Sequence, residues 1–211
     1  MPSRRYGQAC SVARFLDQLG HRWTLLIVRD LLVTPRRFKE LLANAPSMGP
    51  NLLTARLKDL LEREIIEKLP GAGATRYALT DKGRALEPVV LAMAKWGLDY
   101  ADFDPDEPGS SRPDLLVVAF RAAFHADRTT GVTESYEFHV DDITFFAALD
   151  DGDLTTALGP AENAAFVLTT DSKTFDRVGA GVMSMPDAIK ASLVSVAGDR
   201  KAFERFLNFF G

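Results

Sequence analysis

Residues 49–64, GPNLLTARLKDLLERE, have the spacing of a helix with two unlike faces. Leu53, Leu57, Leu60, Leu61 and Ile65 recur at helical intervals, which is enough to bury one side. Asn51, Thr54, Ala55 and Lys58 recur with hardly any bulk. At about 100° per residue the two groups lie roughly opposite each other. A solvated face is the plain reading of the second group, yet such a face would be richer in Glu–Lys pairs. This one opens with small hydrogen-bonding groups, and its neighbours in the chain decide what it meets.

Upstream, 12–32 (VARFLDQLGHRWTLLIVRDLL) gives two short helical patterns separated at Gly20, the second so apolar that it must be central. In TPRRFKELLANAP, Thr34 is placed to cap a helix, Pro35 to take its first position and Pro46 to mark its end. Downstream, IIEKL and RYALT flank PGAGAT as a hairpin with a small tip. Thr80–Asp81 then caps a long helix, DKGRALEPVVLAMAKWGLDYA, in which Pro88 predicts a kink or a break. Leu86, Val89, Val90, Met93, Trp96, Gly97 and Tyr100 form an apolar stripe on it.

Helix, turn, helix and two-stranded wing, in that order, describe a winged helix-turn-helix, mainly α, whose second helix enters the major groove of double-stranded DNA. The small polar face then has an addressee. Asn51 suits an adenine edge, Thr54 a thymine methyl or a phosphate, and Lys58 a guanine or a phosphate, while small Ala55 permits close approach. Arg36, Arg37, Lys39, Lys68 and Arg76 are candidates for backbone contacts, which position without reading sequence. The wing tip, Gly71–Ala72–Gly73–Ala74, has no basic residue to grip a minor groove.

The blocks CSVARFLDQLGHRWTLLIVRDLL, PRRFKEL, PNLLTARLKDL and YALTDKGRAL, in order over residues 7–100, closely resemble the HxlR family of bacterial transcriptional regulators. Position 21 departs from the pattern: it is His where the family more often has Gly or Lys. The resemblance implies homodimers in which the N-terminal and long C-terminal helices pair, operators of two-fold symmetry, and repression as the usual mode. It gives the stripe around Trp96 a partner, the other subunit, alongside packing within its own domain. Cys10 matches the cysteine that opens the family motif, which in some members senses oxidants or electrophiles. It precedes a helix and lies near Arg4, Arg5 and Arg14, features that favour thiolate; the bland alternative is a small apolar residue packed at a helix start.

The net charge of −4 divides unevenly. Residues 1–100 carry 16 basic and 10 acidic side chains, or +6, and 101–211 carry 9 and 19, or −10, so a polyanion partner fits the first half only. Between them DFDPDEPGSSRPD (102–114), with three prolines and five acids, reads as a linker joining a domain at 1–101 to one at 115–211. A single cysteine excludes an intrachain disulfide framework, no apolar run has transmembrane length, and the N-terminus has no signal-peptide core. The expectation is a cytoplasmic protein that is not in a membrane.

In the second half, LLVVAFRAAF fits strand or helix, ESYEFHV, ITFFAALDDG and AAFVLTT read as strands, and DSKTFDRVGAG as a helix capped by Asp171. MPDAIKASLVSVAGD gives a short helix and a strand, and RKAFERFLNFF a last amphipathic helix. Strands first and helices later predict an α+β domain with helices on one face of a largely antiparallel sheet. The order ending TFDRVGAG, AIKASLVSVAGD and FERFL resembles the sterol-carrier-protein type 2 fold, which implies an apolar tunnel for a hydrophobic small molecule. Twelve of 14 phenylalanines follow residue 100, and Phe138, Phe145, Phe146, Phe166, Phe175, Phe203 and Phe206 are candidates to line such a pocket or to fill an ordinary core.

The three histidines are scattered, no glycine-rich loop opens a helix after a strand, and the acidic turns fit no calcium loop, so no catalytic residue, metal or cofactor is expected. The function expected is a homodimeric, sequence-specific repressor controlled by a hydrophobic ligand or by oxidation of Cys10. The alternatives are a hydrophobic-ligand carrier that uses the winged helix only to dimerise, and a regulator whose acidic half merely braces the dimer.

Overall fold

The computed structural model describes residues 5–70, 75–106 and 112–209. By internal contacts the chain divides into two compact units, Met1–Val90 and Leu91–Gly211. The first contains α1 (Ser11–Leu19), α2 (Thr24–Val33), β1 (Arg36–Arg37), α3 (Phe38–Ala43), α4 (Pro50–Glu62), β2 (Ile66–Leu69), β3 (Arg76–Leu79), α5 (Asp81–Arg84) and the start of α6 (Glu87–Tyr100). Pro50 takes the first position of α4, where its missing N–H costs nothing, and Gly49 is extended at the N-cap. Leu53 and Leu60 on α4 are wholly buried, and Val28, Leu41, Met48, Ile65, Ile66 and Leu79 complete the core. Each such side chain contributes about 1.5–3 kcal/mol by leaving water.

Helix-turn-helix and wing stand where the sequence places them, with one correction. Thr34 does not cap a helix and Pro35 does not begin one. Thr34 is extended (φ −168°, ψ 156°), Arg36 and Arg37 pair with Tyr77 and Arg76, and the helix starts at Phe38 with Arg37 as its N-cap. The reason is a sheet edge. β3 pairs with β2 on one side only, and its other edge leaves backbone groups that β1 satisfies in a three-stranded sheet of order β1-β3-β2. Proline just ahead of an edge strand forfeits no ladder bond. At Thr80 the cap is as expected: its Oγ1 accepts from the Gly83 amide. The helix that follows breaks rather than kinks, ending at Arg84 and resuming at Glu87 with Pro88 in the new first turn.

In the second unit a tight helical turn (Pro113–Leu115) leads into α7 (Leu116–Ala123), which resolves the ambiguous apolar run as helix. Strands β4 (Thr133–Val140), β5 (Ile143–Asp150), β6 (Asp153–Leu158), β7 (Ala164–Thr170) and β8 (Ser195–Gly198) form one mixed sheet of order β6-β5-β4-β7-β8. All pairs are antiparallel except β4–β7. Asp151 (φ 46°) and Gly152 (φ 95°) make the tight turn from β5 to β6. α8 (Ser172–Gly179), α9 (Met185–Lys190) and α10 (Arg200–Leu207) join α7 over one face. Val117, Phe120, Ala188, Phe203 and Phe206 from those helices meet Tyr136, Phe138, Phe145, Phe166 and Leu168 in a single core. Ahead of α7, Asp106 is held at α8 by Arg177 (3.0 and 2.9 Å) and Lys173 (3.2 Å).

Candidate functional site

Asn51, Thr54, Ala55 and Lys58 are all exposed on α4, on the side turned away from Leu53, Leu57 and Leu60. The Thr54 hydroxyl donates to the Pro50 carbonyl at 2.9 Å, which commits its proton and leaves the oxygen as an acceptor only. Lys58 makes one contact with Glu62 at 3.7 Å, with both side chains well exposed (76% and 64%), a pair too open to hold it. The sequence reading passed over two residues of this helix. Leu52 stands 40% exposed beside Asn51, although an apolar side chain of that size is normally on the buried face. Arg56 is half-buried, with an Nε shielded from solvent that has no hydrogen-bond partner among the described residues.

The three-stranded sheet gathers four of the five other basic candidates. Arg36 and Lys68 flank Tyr77 in one row across the strands, and Arg37 and Leu69 flank Arg76 in the next. Arg37 and Arg76 therefore sit directly opposite each other, both exposed. Like charges at paired positions destabilise a sheet on its own account. Lys39 is exposed on the first turn of α3, where Glu40 accepts from the Arg37 amide at 2.6 Å. The wing tip, Gly71–Ala72–Gly73–Ala74, lies outside the described residues.

Cys10 is exposed at the start of α1. Hydrogen bonds from the Ala13 and then the Val12 amides hold its thiol below the usual range. Arg4 lies outside the described residues. In the segments flanking Cys10, Tyr6, Val12 and Leu16 expose apolar side chains, as do Val89, Met93, Trp96 and Tyr100 on α6, whereas Leu86 and Val90 are buried.

The second unit contains an apolar cavity of about 460 Å³. It lies between α7, α8, α9, α10 and strand β7, with Leu98 from the part of α6 that belongs to this unit. Of the seven phenylalanines singled out from sequence, Phe175 and Phe206 line it. Phe138, Phe145, Phe166 and Phe203 are core: the first three are wholly buried, and Phe138 stacks on Phe145 at 4.8 Å. Phe146 lies on the opposite face of the sheet, paired with Glu137. Phe120 lines the cavity and meets both Phe175 (6.1 Å) and Phe206 (5.9 Å). The signal for it was the run LLVVAFRAAF, once read as helix.

Among the described residues no three His, Cys, Asp or Glu side chains are grouped to hold a metal ion, and no helix is long and apolar enough to cross a membrane. Residues 18–105 match the family described as HxlR-like helix-turn-helix. The HTH-type transcriptional regulator YodB of Bacillus subtilis (strain 168) is 38% identical over 96 residues, which are 44% of this chain and 81% of that protein. The HTH-type transcriptional regulator sll1512 of Synechocystis is 31% identical over 106 residues, 48% of this chain and 77% of that protein. The solved structure of reduced YodB from Bacillus subtilis is 34% identical, covers 49% of this chain and all of its own (100%), and superposes with a TM-score of 0.39. The family match ends before the five-stranded sheet begins, and on its strength and that of the two regulators this chain belongs to the HxlR-like helix-turn-helix family.

Proposed function

We propose that the chain is a homodimeric, sequence-specific repressor that reads DNA with α4 and answers to a hydrophobic molecule in its C-terminal unit. One observation carries the DNA reading: a helix that buries Leu53, Leu57 and Leu60 on its inner side presents Asn51, Thr54, Ala55 and Lys58 exposed on its outer side. In the major groove Asn51 pairs with an adenine edge, Thr54 turns its methyl to a thymine, and Lys58 reaches a guanine or a phosphate. Arg36, Arg37, Lys39, Lys68 and Arg76 hold the phosphate backbone. The opposed Arg37 and Arg76 support this, because a polyanion turns a repulsive pair into a favourable one.

The partner of the exposed apolar residues on α1 and α6 is a second copy of the chain, as the family resemblance implies; two copies would match a two-fold operator. Repression is likewise what the resemblance implies. A five-stranded sheet with helices over one face and an apolar cavity beneath them supports the reading of the C-terminal unit as sterol-carrier-like. A ligand there acts only if it prefers one dimer geometry over another. The accessible, thiolate-favouring Cys10 supports oxidation as a second input.

The test is binding of the purified protein to its own upstream DNA across a salt series, beside the double variant Asn51→Ala, Lys58→Ala. Tight binding whose log affinity falls steeply with log salt is expected. The variant loses the preference for that DNA over random duplex, and its slope falls by about one per protomer through the lost lysine. Failure to bind any duplex at low salt would sink the reading and favour a carrier that uses the winged helix only to dimerise.

A further inference from the structure

We infer that the cavity of the C-terminal unit selects an uncharged hydrophobic molecule carrying one hydrogen-bond donor, an alcohol or a phenol, which Thr170 accepts. This rests on the reading of that cavity as the ligand site. Its wall is apolar, with Leu116, Phe120, Leu168, Phe175, Val194 and Phe206 among the residues that line it. The volume of about 460 Å³ is that of a small-molecule site.

Among the described lining residues Thr170 has the only polar side chain. Its hydroxyl proton is already committed, since Oγ1 donates to the Leu193 carbonyl at 3.0 Å. A hydroxyl has one proton and two lone pairs, so what Thr170 offers a ligand is acceptor capacity alone. A ketone or ether would meet it lone pair to lone pair. A hydroxyl on the ligand would satisfy it and lose nothing on leaving water.

Charge is excluded by the same wall. No cation lines the cavity among the described residues, and a carboxylate buried there would be unpaired. Lys173 and Arg177, on the helix that supplies Phe175 and Val178, are instead drawn to Asp106. The phenylalanine rings favour a flat partner, which suits a phenol best.

Calorimetric titration of the full chain with para-pentylphenol, para-pentylanisole and para-pentylbenzoate separates the possibilities. The phenol is expected to bind about three- to ten-fold tighter than the anisole, the worth of one neutral hydrogen bond. The anisole is the more hydrophobic of the two, so burial alone would give the opposite order. The benzoate is expected not to bind. Thr170→Val should abolish the phenol preference and Thr170→Ser should keep it. If Thr170→Val does not fold, the phenol-to-anisole ratio of the unaltered protein decides alone. Equal affinity for phenol and anisole, or tighter binding of the benzoate, overturns the inference and leaves the cavity reading standing. A preference that persists in a folded Thr170→Val variant overturns the role of Thr170. No binding of any of the three overturns both.

Discussion

Cys10 is exposed, and the Ala13 and Val12 amides at the start of α1 lower its thiol below the usual range. A lowered thiol value means more thiolate at any pH below the ordinary titration range, and the thiolate is what reacts. Alkylation by iodoacetamide should therefore show a pH midpoint below that of a free cysteine, and unfolding in denaturant should return it to the ordinary value. Identical midpoints in folded and unfolded chain would leave Cys10 a spectator. On α4, Lys58 and Thr54 differ in kind. Lys58 is unheld and free to find a phosphate, whereas Thr54 has spent its proton on Pro50 and can present a methyl or a lone pair but no donor. Helical spacing places both residues on the exposed side of α4, where they are found; the hydrogen bond that narrows Thr54 depends on its rotamer, which no sequence pattern carries.

At the scale of elements, the helix starts at Thr80 and Asp171 were legible in the sequence, whereas the one assigned to Thr34 gave way to a sheet edge. Asp171 was assigned as a cap because Asp just before a periodic segment can accept from free amides. It does so, taking the Thr174 amide at 2.8 Å and the Thr174 hydroxyl at 2.8 Å. Burial pushes its carboxyl up, but these hydrogen bonds outweigh that and hold it below the usual range. A carboxyl whose folded value is depressed contributes stability above its unfolded value and loses that contribution as pH falls through the folded one. Asp171→Ala should cost about 1 kcal/mol in chemical denaturation at neutral pH. The difference from the unaltered protein should shrink once pH drops below about 4. A constant difference down to strong acid would show that packing, not the cap, is what the substitution removes. The strands were less legible. β1 has two arginines and no pattern, and β6 (Asp153–Leu158) sets two adjacent threonines between Leu154 and Ala157 without alternation, so neither carries a strand signal strong enough to stand alone.

For the whole molecule the question is what covers the exposed apolar side chains of α1 and α6. Met93 is 53% exposed, Trp96 62% and Tyr100 73%, which is costly for large apolar groups on a lone chain. Trp96→Glu should convert a dimer to a monomer in sedimentation equilibrium and weaken operator binding far more than binding to a half-site. An unaltered protein that sediments as a monomer at every concentration tested would refute the dimer. Charge acts at the same scale: +6 in residues 1–100 and −10 in the remainder favour one half for a polyanion and repel the other from it.

The sequence by itself determined the elements whose signals are local. These are the two faces of α4, the caps at Thr80 and Asp171, an interruption around Pro88 (kink or break left open), and the alternation of β4, β5 and β7, each set by a period, a cap or a proline within a few residues. Tertiary structure decided what depends on partners far along the chain. β1 exists because β3 has a free edge some forty residues later. Gly83 looks like a weak spot in a helix, yet a Cβ there would stand 2.1 Å from the Ile65 carbonyl oxygen, so glycine is required by close approach. The phenylalanines, alike in sequence, divide into core and cavity wall according to which face of the sheet and which helix each one meets. Burial and pairing are sums over neighbours brought together by folding, and a linear pattern holds only the neighbours within one turn or one strand.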